Sequence, residues 1–119
     1  MADDNIRMVK RYLKQTAVYW GVDAFDADGR PIYEEAVEIS CRWEDKGEQY
    51  LDKQGHDHVS NSVVIIDRDV VEQGVLWLGS LEDVESQNEP LKNDGAYEIK
   101  KFEKIPDRKA TKFFRRAYL

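Results

Sequence analysis

His56 and His58 are separated by one residue, a spacing that turns two imidazoles to the same side of a β-strand. Asp52 or Asp57 stands near enough along the chain to add an oxygen ligand. A closed zinc site takes four ligands, commonly with cysteine or further histidine. The pair falls short of that, and the plainer reading is two histidines on a solvated hairpin tip. No metal and no cofactor is expected. The single cysteine, Cys41, cannot form an internal disulfide. It lies on the apolar side of an alternating run, which marks a buried thiol, because reactive cysteines need exposed and electropositive surroundings. Carboxylates are abundant, at twenty-four. However, Glu34, Glu35, Glu82, Asp83 and Glu85 fall in polar stretches, without the desolvated setting that tunes an acid–base pair. Gly21, Gly29 and Gly47 are scattered rather than gathered into a phosphate loop. No catalytic residue emerges, and a non-enzymatic protein is expected.

The elements that must position these residues read as strands. Val37, Ile39, Cys41 and Trp43 alternate with Glu38, Ser40, Arg42 and Glu44, which places one apolar face inward and one charged face outward. Thr16 to Trp20 is rich in β-branched and aromatic residues and reads as a strand. Asp26-Ala27-Asp28-Gly29-Arg30-Pro31 is a hairpin turn. Residues 45–61 are polar, contain Gly47 and Gly55, and hold Tyr50, Leu51 and Val59 as their large apolar residues. They read as a long hairpin or loop projecting from the body. Val63 to Ile66 is a continuous apolar run, consistent with a strand buried on both faces. Val75 to Leu78, between Gly74 and Gly79, is another strand. Ser80 to Gly95 reads as an acidic surface loop with a helical turn around Leu81 to Glu85. Ala96 to Ile105 resumes a strand whose alternation slips between Ile99 and Phe102, which predicts a bulge or bend. Lys112 to Leu119 reads as the last strand. Trp20, Trp43 and Trp77 all fall inside predicted strands, as core or inter-subunit anchors.

The expected fold is mainly β: a small β-barrel or sandwich of about 5–7 antiparallel strands, preceded by an N-terminal arm over residues 1–15 and built from residues 16–119. Ile6, Val9 and Leu13 fall at helical spacing within the arm. The chain has 119 residues, enough for one domain with its own core. No apolar run approaches the ~20 residues that span a bilayer, and no secretory signal is visible at the N-terminus. The expectation is a soluble chain assembled in the cytoplasm.

The net charge of −6 is unevenly spread. Residues 95–119 carry eight Lys/Arg and three Asp/Glu, a net of +5; residues 1–94 carry ten and twenty-one, a net of −11. An acidic body binds nucleic acid poorly, since that affinity comes mostly from cations that displace counterions. The basic tail, which includes Lys112, Arg115, Arg116 and Tyr118, is a candidate contact for an acidic surface or a neighbouring subunit. The alternative is a solvated strand face that protects a sheet edge.

The order of these pieces resembles a known family. Tyr12-Leu13-Lys14-Gln15-Thr16-Ala17-Val18-Tyr19-Trp20 opens the body, and Val37-Glu38-Ile39-Ser40-Cys41-Arg42-Trp43-Glu44 follows. After the polar loop come Val63-Val64-Ile65-Ile66-Asp67 and Gly74-Val75-Leu76-Trp77-Leu78-Gly79. Residues 96–106, Ala-Tyr-Glu-Ile-Lys-Lys-Phe-Glu-Lys-Ile-Pro, complete the set. In strand order and length this is similar to the head-tail joining (stopper, or head-completion) proteins of tailed bacteriophages. The resemblance implies a small β-barrel in a homo-oligomeric ring at the virion neck, with portal and adaptor proteins above and tail terminator or tail tube proteins below. It implies retention of packaged DNA, which passes through the channel without sequence-specific binding, and no membrane contact. It also implies that residues 45–61 form a channel-facing loop, with Gly47, Tyr50, Leu51, Gly55 and Val59 as its candidate residues. A tail-terminator or tail-completion ring protein is the alternative, followed by an oligonucleotide-binding barrel, which the acidic net charge disfavours.

Overall fold

The computed structural model describes residues 13–106 and 113–119. Strand β1 (Gln15–Trp20) leads into a hairpin of β2 (Val22–Phe25) and β3 (Pro31–Tyr33). The long β4 (Val37–Glu44) is followed by a second hairpin, β5 (Gln49–Leu51) and β6 (Asp57–Val59). Then come β7 (Val63–Ile66), β8 (Val75–Leu78), β9 (Tyr97–Glu98), β10 (Lys101–Pro106) and β11 (Phe113–Tyr118). Seven strands form one antiparallel sheet in the order β10-β11-β7-β4-β1-β8-β9, and the two hairpins stand apart as two-stranded sheets. Mainly β architecture is therefore what the chain adopts. Among the described residues, no helix is long and apolar enough to cross a membrane.

The sheet curls because its two edge strands belong to one chain segment. β9 pairs with β8, and β10 pairs with β11 at the other side of the sheet. Only Ile99 and Lys100 separate them: the Ile99 N–H donates to the Gly74 carbonyl (2.8 Å), and the Lys100 N–H donates to the Tyr118 carbonyl (2.8 Å). The slip in alternation between Ile99 and Phe102 is this handover, in which the strand leaves one edge and joins the other. Covering an edge in this way also removes a template for unwanted strand pairing.

The curled sheet encloses a core of Ala17, Tyr19, Ile39, Cys41, Val64, Ile66, Leu76, Ile99, Ala117 and Leu119, with Trp43 and Phe102 packed against it. The opposite face of β1 is apolar too. Val18 and Trp20 join Ala36 and Val75 under Tyr33, Trp77, Leu81, Val84 and Ala96. The first hairpin and residues 80–96 thus cover that face as a second layer. Trp20 is wholly buried there. At about 200 Å² of indole surface and about 25 cal/mol per Å², its burial stabilises the fold by an upper estimate of about 5 kcal/mol. Its indole N–H donates to the Gln87 carbonyl (2.9 Å) and so ties the covering loop to the sheet. Trp77 does the same through the Asp94 carbonyl (2.8 Å).

The expected inward face of β4 holds at Ile39 and Cys41 but fails at Val37, which is exposed. Val37 forms the last pair of its ladder, opposite Tyr19 at the rim, where neighbouring strands no longer cover it. The four residues of β7 are all buried, as their continuous apolar run predicts. The helical turn expected near Leu81 is a single 3₁₀ turn over Leu81–Asp83. The long hairpin or loop expected over residues 45–61 is a hairpin, with strands of only three residues each. Tyr50 turns inward and packs it against Val63 and Tyr118.

Candidate functional site

The hairpin between β4 and β7 is built on its turn. The Asp52 carbonyl accepts the Gly55 N–H (3.0 Å), and the Asp52 N–H donates to the His56 carbonyl (3.0 Å). One side-chain oxygen of Asp52 accepts the N–H groups of Gln54 and His56, both at 2.9 Å. Gly55 has φ of +82°, a backbone region that glycine enters without a steric penalty. Asp26 and Gly29 repeat the arrangement in the first hairpin, with Asp28 and Arg30 as the amide donors and φ of +79° at the glycine. The spacing Asp-x-x-Gly, present at Asp26–Gly29 and Asp52–Gly55, is the local signal for both turns: a type I turn closed by a left-handed residue.

The second carboxylate oxygen of Asp52 faces the two histidines. It lies 2.8 Å from His58 Nε2 and 3.5 Å from His56 Nδ1. The His58 hydrogen bond, then the backbone amides, hold the Asp52 carboxyl down at about 2. The His58 ring stacks on Tyr50 with centroids 5.3 Å apart, and Tyr50 meets Tyr118 at 5.2 Å. One imidazole is therefore fixed between an aromatic ring and a carboxylate, while His56 stays 75% exposed. Among the described residues, no group of three or more His, Cys, Asp or Glu is arranged to hold a metal ion. Hydrogen bonding and stacking account for the positions of Asp52 and His58.

The hairpin is tied down along both sides. The Lys101 ammonium donates to the Leu51 carbonyl, and Lys53 pairs with Glu72 at 3.6 Å across a cleft of about 580 Å³. At its base, a chain of charges runs from Arg42 to Glu44 (3.0 Å), from Glu44 to Lys46 (3.0 Å), and from Lys46 to Glu48 (3.5 Å). Glu48 then meets Arg116 (3.0 Å). Arg116 also donates to the Tyr118 hydroxyl (3.2 Å), which donates to Glu103 (3.0 Å). Lys46, and then Arg42, lower the Glu44 carboxyl below its usual range.

Two groups of residues singled out in the sequence are thus brought together. Tyr50 is buried rather than outward-facing, because it anchors the hairpin on Tyr118. Leu51 and Val59 are exposed, and Gly47 and Gly55 lie on the exposed backbone. Tyr118 is 2% exposed and serves the core side of this contact. Arg115 pairs with Asp69 (2.6 Å), which Lys104 also reaches (3.2 Å), and Arg116 pairs with Glu48. Both arginines are therefore engaged within the chain, because β11 lies between β7 and β10 rather than at an edge. Lys112 lies outside the described residues. Cys41 is buried, and its thiol is pushed up to about 12, mainly by burial and also by Asp67. The charge chain through Glu44, Lys46 and Glu48 was not read from the sequence; its alternating signs two residues apart, Arg42-x-Glu44-x-Lys46-x-Glu48, are the signal for it.

No protein-family model, curated protein or solved structure matches this chain.

Proposed function

We propose that this chain is a structural subunit of the neck of a tailed bacteriophage. In this reading it is a head-tail joining protein of the stopper type, forming a homo-oligomeric ring that retains packaged DNA and receives the tail. The observation that carries the reading is the place of the second hairpin. It is inserted between β4 and β7 of a curled, barrel-like antiparallel sheet, and it presents Leu51 and Val59 to solvent. It is at this position that the resemblance implies a channel-facing loop. The acidic body supports it as well, since a lumen lined with carboxylates lets a polyanion slide without sticking. The lysine contacts to Leu51 and Glu72 hold the hairpin against the body, from which its exposed Leu51 and Val59 can meet the same residues of other subunits around an axis.

Deleting the gene from a phage that encodes the chain tests the proposal. The expected lysate holds heads that lose their DNA beside complete, unattached tails. Tails of aberrant length would favour a tail-terminator instead. Normal infectious particles would overturn both readings.

A further inference from the structure

A second groove lies away from the hairpin, where β1 hands over to β2. The Glu34 N–H donates to the Gly21 carbonyl (2.8 Å), and the Trp20 indole donates to the Gln87 carbonyl (2.9 Å). Residues 31–36 and 87–92 therefore stand as two walls around about 610 Å³. Ile32 and Leu91 line the groove while 48% and 52% exposed, and Phe25, paired with Pro31, is exposed beside it. The lining carries Glu34, Glu35 and Glu89 against Lys92, a net of −2, and Lys92 is ion-paired with Glu89. The groove is thus apolar and acidic together, and its far wall is held rigidly by Asn93.

The sequence holds one segment of the opposite character. Residues 5–14, NIRMVKRYLK, contain four cationic residues and no acid, interleaved with Ile6, Met8, Val9 and Tyr12. The other basic stretch outside the described residues, 107–112, holds no large apolar side chain. We propose that residues 5–12 of one copy dock in this groove of a second copy, with Arg7, Lys10 and Arg11 facing Glu34, Glu35 and Glu89, and the apolar residues covering Ile32 and Leu91.

Reach decides between a second copy and the same chain. Leu13 is buried at the start of β1, and the groove lies past Trp20 at its other end. Seven residues of extended chain separate Leu13 from Trp20, about 23 Å. Lys10 and Arg11 precede Leu13 by three and two residues, so their Cα atoms lie within about 10 Å of it. In their own chain they fall short of the groove. Residues 1–4 have the length to approach it, but they bring Asp3 and Asp4 to three glutamates. A contact between different surfaces of successive copies closes into a ring when the rotation allows it. The inference deepens the ring reading and rests on it only for closure.

Cysteine cross-linking of full-length chains tests the contact, with the buried Cys41 as a silent background thiol. A Met8→Cys chain mixed with a Leu91→Cys chain under mild oxidation should give a disulfide-linked dimer of the two, and a chain carrying both substitutions should give a ladder of oligomers. Glu34→Lys/Glu35→Lys/Glu89→Lys in the groove chain should cut the yield roughly tenfold, the equivalent of about 1.4 kcal/mol. Arg7→Glu/Lys10→Glu/Arg11→Glu in the arm chain should restore it. No heterodimer above the yield of either chain alone, or a doubly substituted chain that closes only on itself, would overturn the inference. Either result leaves the deletion lysate to judge the neck assignment separately.

Discussion

Asn93 holds the loop that walls the acidic groove, and its replacement has a cost that can be worked from its bonds. The side chain is 4% exposed. Its Oδ1 accepts the N–H groups of Glu85 (3.1 Å) and Ser86 (2.9 Å), and its Nδ2 donates to the carbonyls of Ser86 (2.8 Å) and Pro90 (2.9 Å). All four hydrogen-bonding positions of the amide are therefore used. At roughly 1 kcal/mol net for each bond, and with part of the loop able to rehydrate, Asn93→Ala should lower the unfolding free energy by about 2–4 kcal/mol. That is a large share of the roughly 5–15 kcal/mol typical of a small domain. Urea denaturation followed by tryptophan fluorescence measures it, since Trp20 and Trp77 both bond to this loop.

Asn93→Asp sharpens the test. It keeps the acceptor for the two amides but turns a second oxygen onto two carbonyls. Burial and the facing carbonyls favour the protonated acid; the amides pull the other way but serve one oxygen only. The folded pKa of the introduced carboxyl should then lie above its unfolded value of about 4, so stability is retained below pH ~4 and lost as pH rises through the folded value. The Asn93→Asp deficit should therefore grow from pH 4 to pH 7, while the Asn93→Ala deficit stays nearly flat. Deficits below about 0.5 kcal/mol for both variants would place them with ordinary surface substitutions and refute the reasoning.

The Asp52 carboxyl, held near 2 against an unfolded value near 4, contributes hairpin stability that is fully present above pH ~4 and is lost as pH falls toward 2. Amide exchange at Gln54 and His56, measured by NMR, should accelerate over that window, and protection unchanged down to pH 2 would contradict it. Cys41, buried with its thiol near 12, should react with a disulfide reagent only in urea; rapid labelling in native buffer would show the core to be open. Arg116→Ala should destabilise the fold by about 1 kcal/mol, discounted because the Glu48 pair is partly exposed. A double-mutant cycle with Glu48→Gln should return a coupling of about 0.5–1 kcal/mol, and a value near zero would remove this link from the charge chain.

The parts of the fold legible in the sequence are those where one strand is long enough to show its period or wholly buried. Eight alternating residues announce β4, and four consecutive apolar residues announce β7. The slip after Ile99 marks the handover between sheet edges, although the alternation alone cannot say which edges are joined. Strands β5 and β6 have three residues each, too few for a periodicity to register, and Tyr50 sits in a polar run that conceals its burial. The turn between them was nonetheless written in the chain, since Asp52–Gly55 repeats the spacing of Asp26–Gly29. Val37 misleads for a different reason: periodicity assigns a face, but not how far along the strand that face remains covered.

The candidate site was legible in composition and not in connection. A net of +5 over residues 95–119 suggests an outward-facing basic strand. Yet β11 is an inner strand of the sheet, and its charges are met by Asp69 and by Glu48, the latter 68 residues away in the chain. Pairing at such a distance depends on which strands become neighbours, and no local pattern encodes it. The consequence reaches function. Charge reversal at Arg115 or Arg116 removes internal ties before it touches any neighbour, so a failure to join heads and tails in such a variant reports on the fold. The residues better placed to report on association are exposed apolar ones: Leu51 and Val59 on the second hairpin, and Ile32 and Leu91 in the acidic groove.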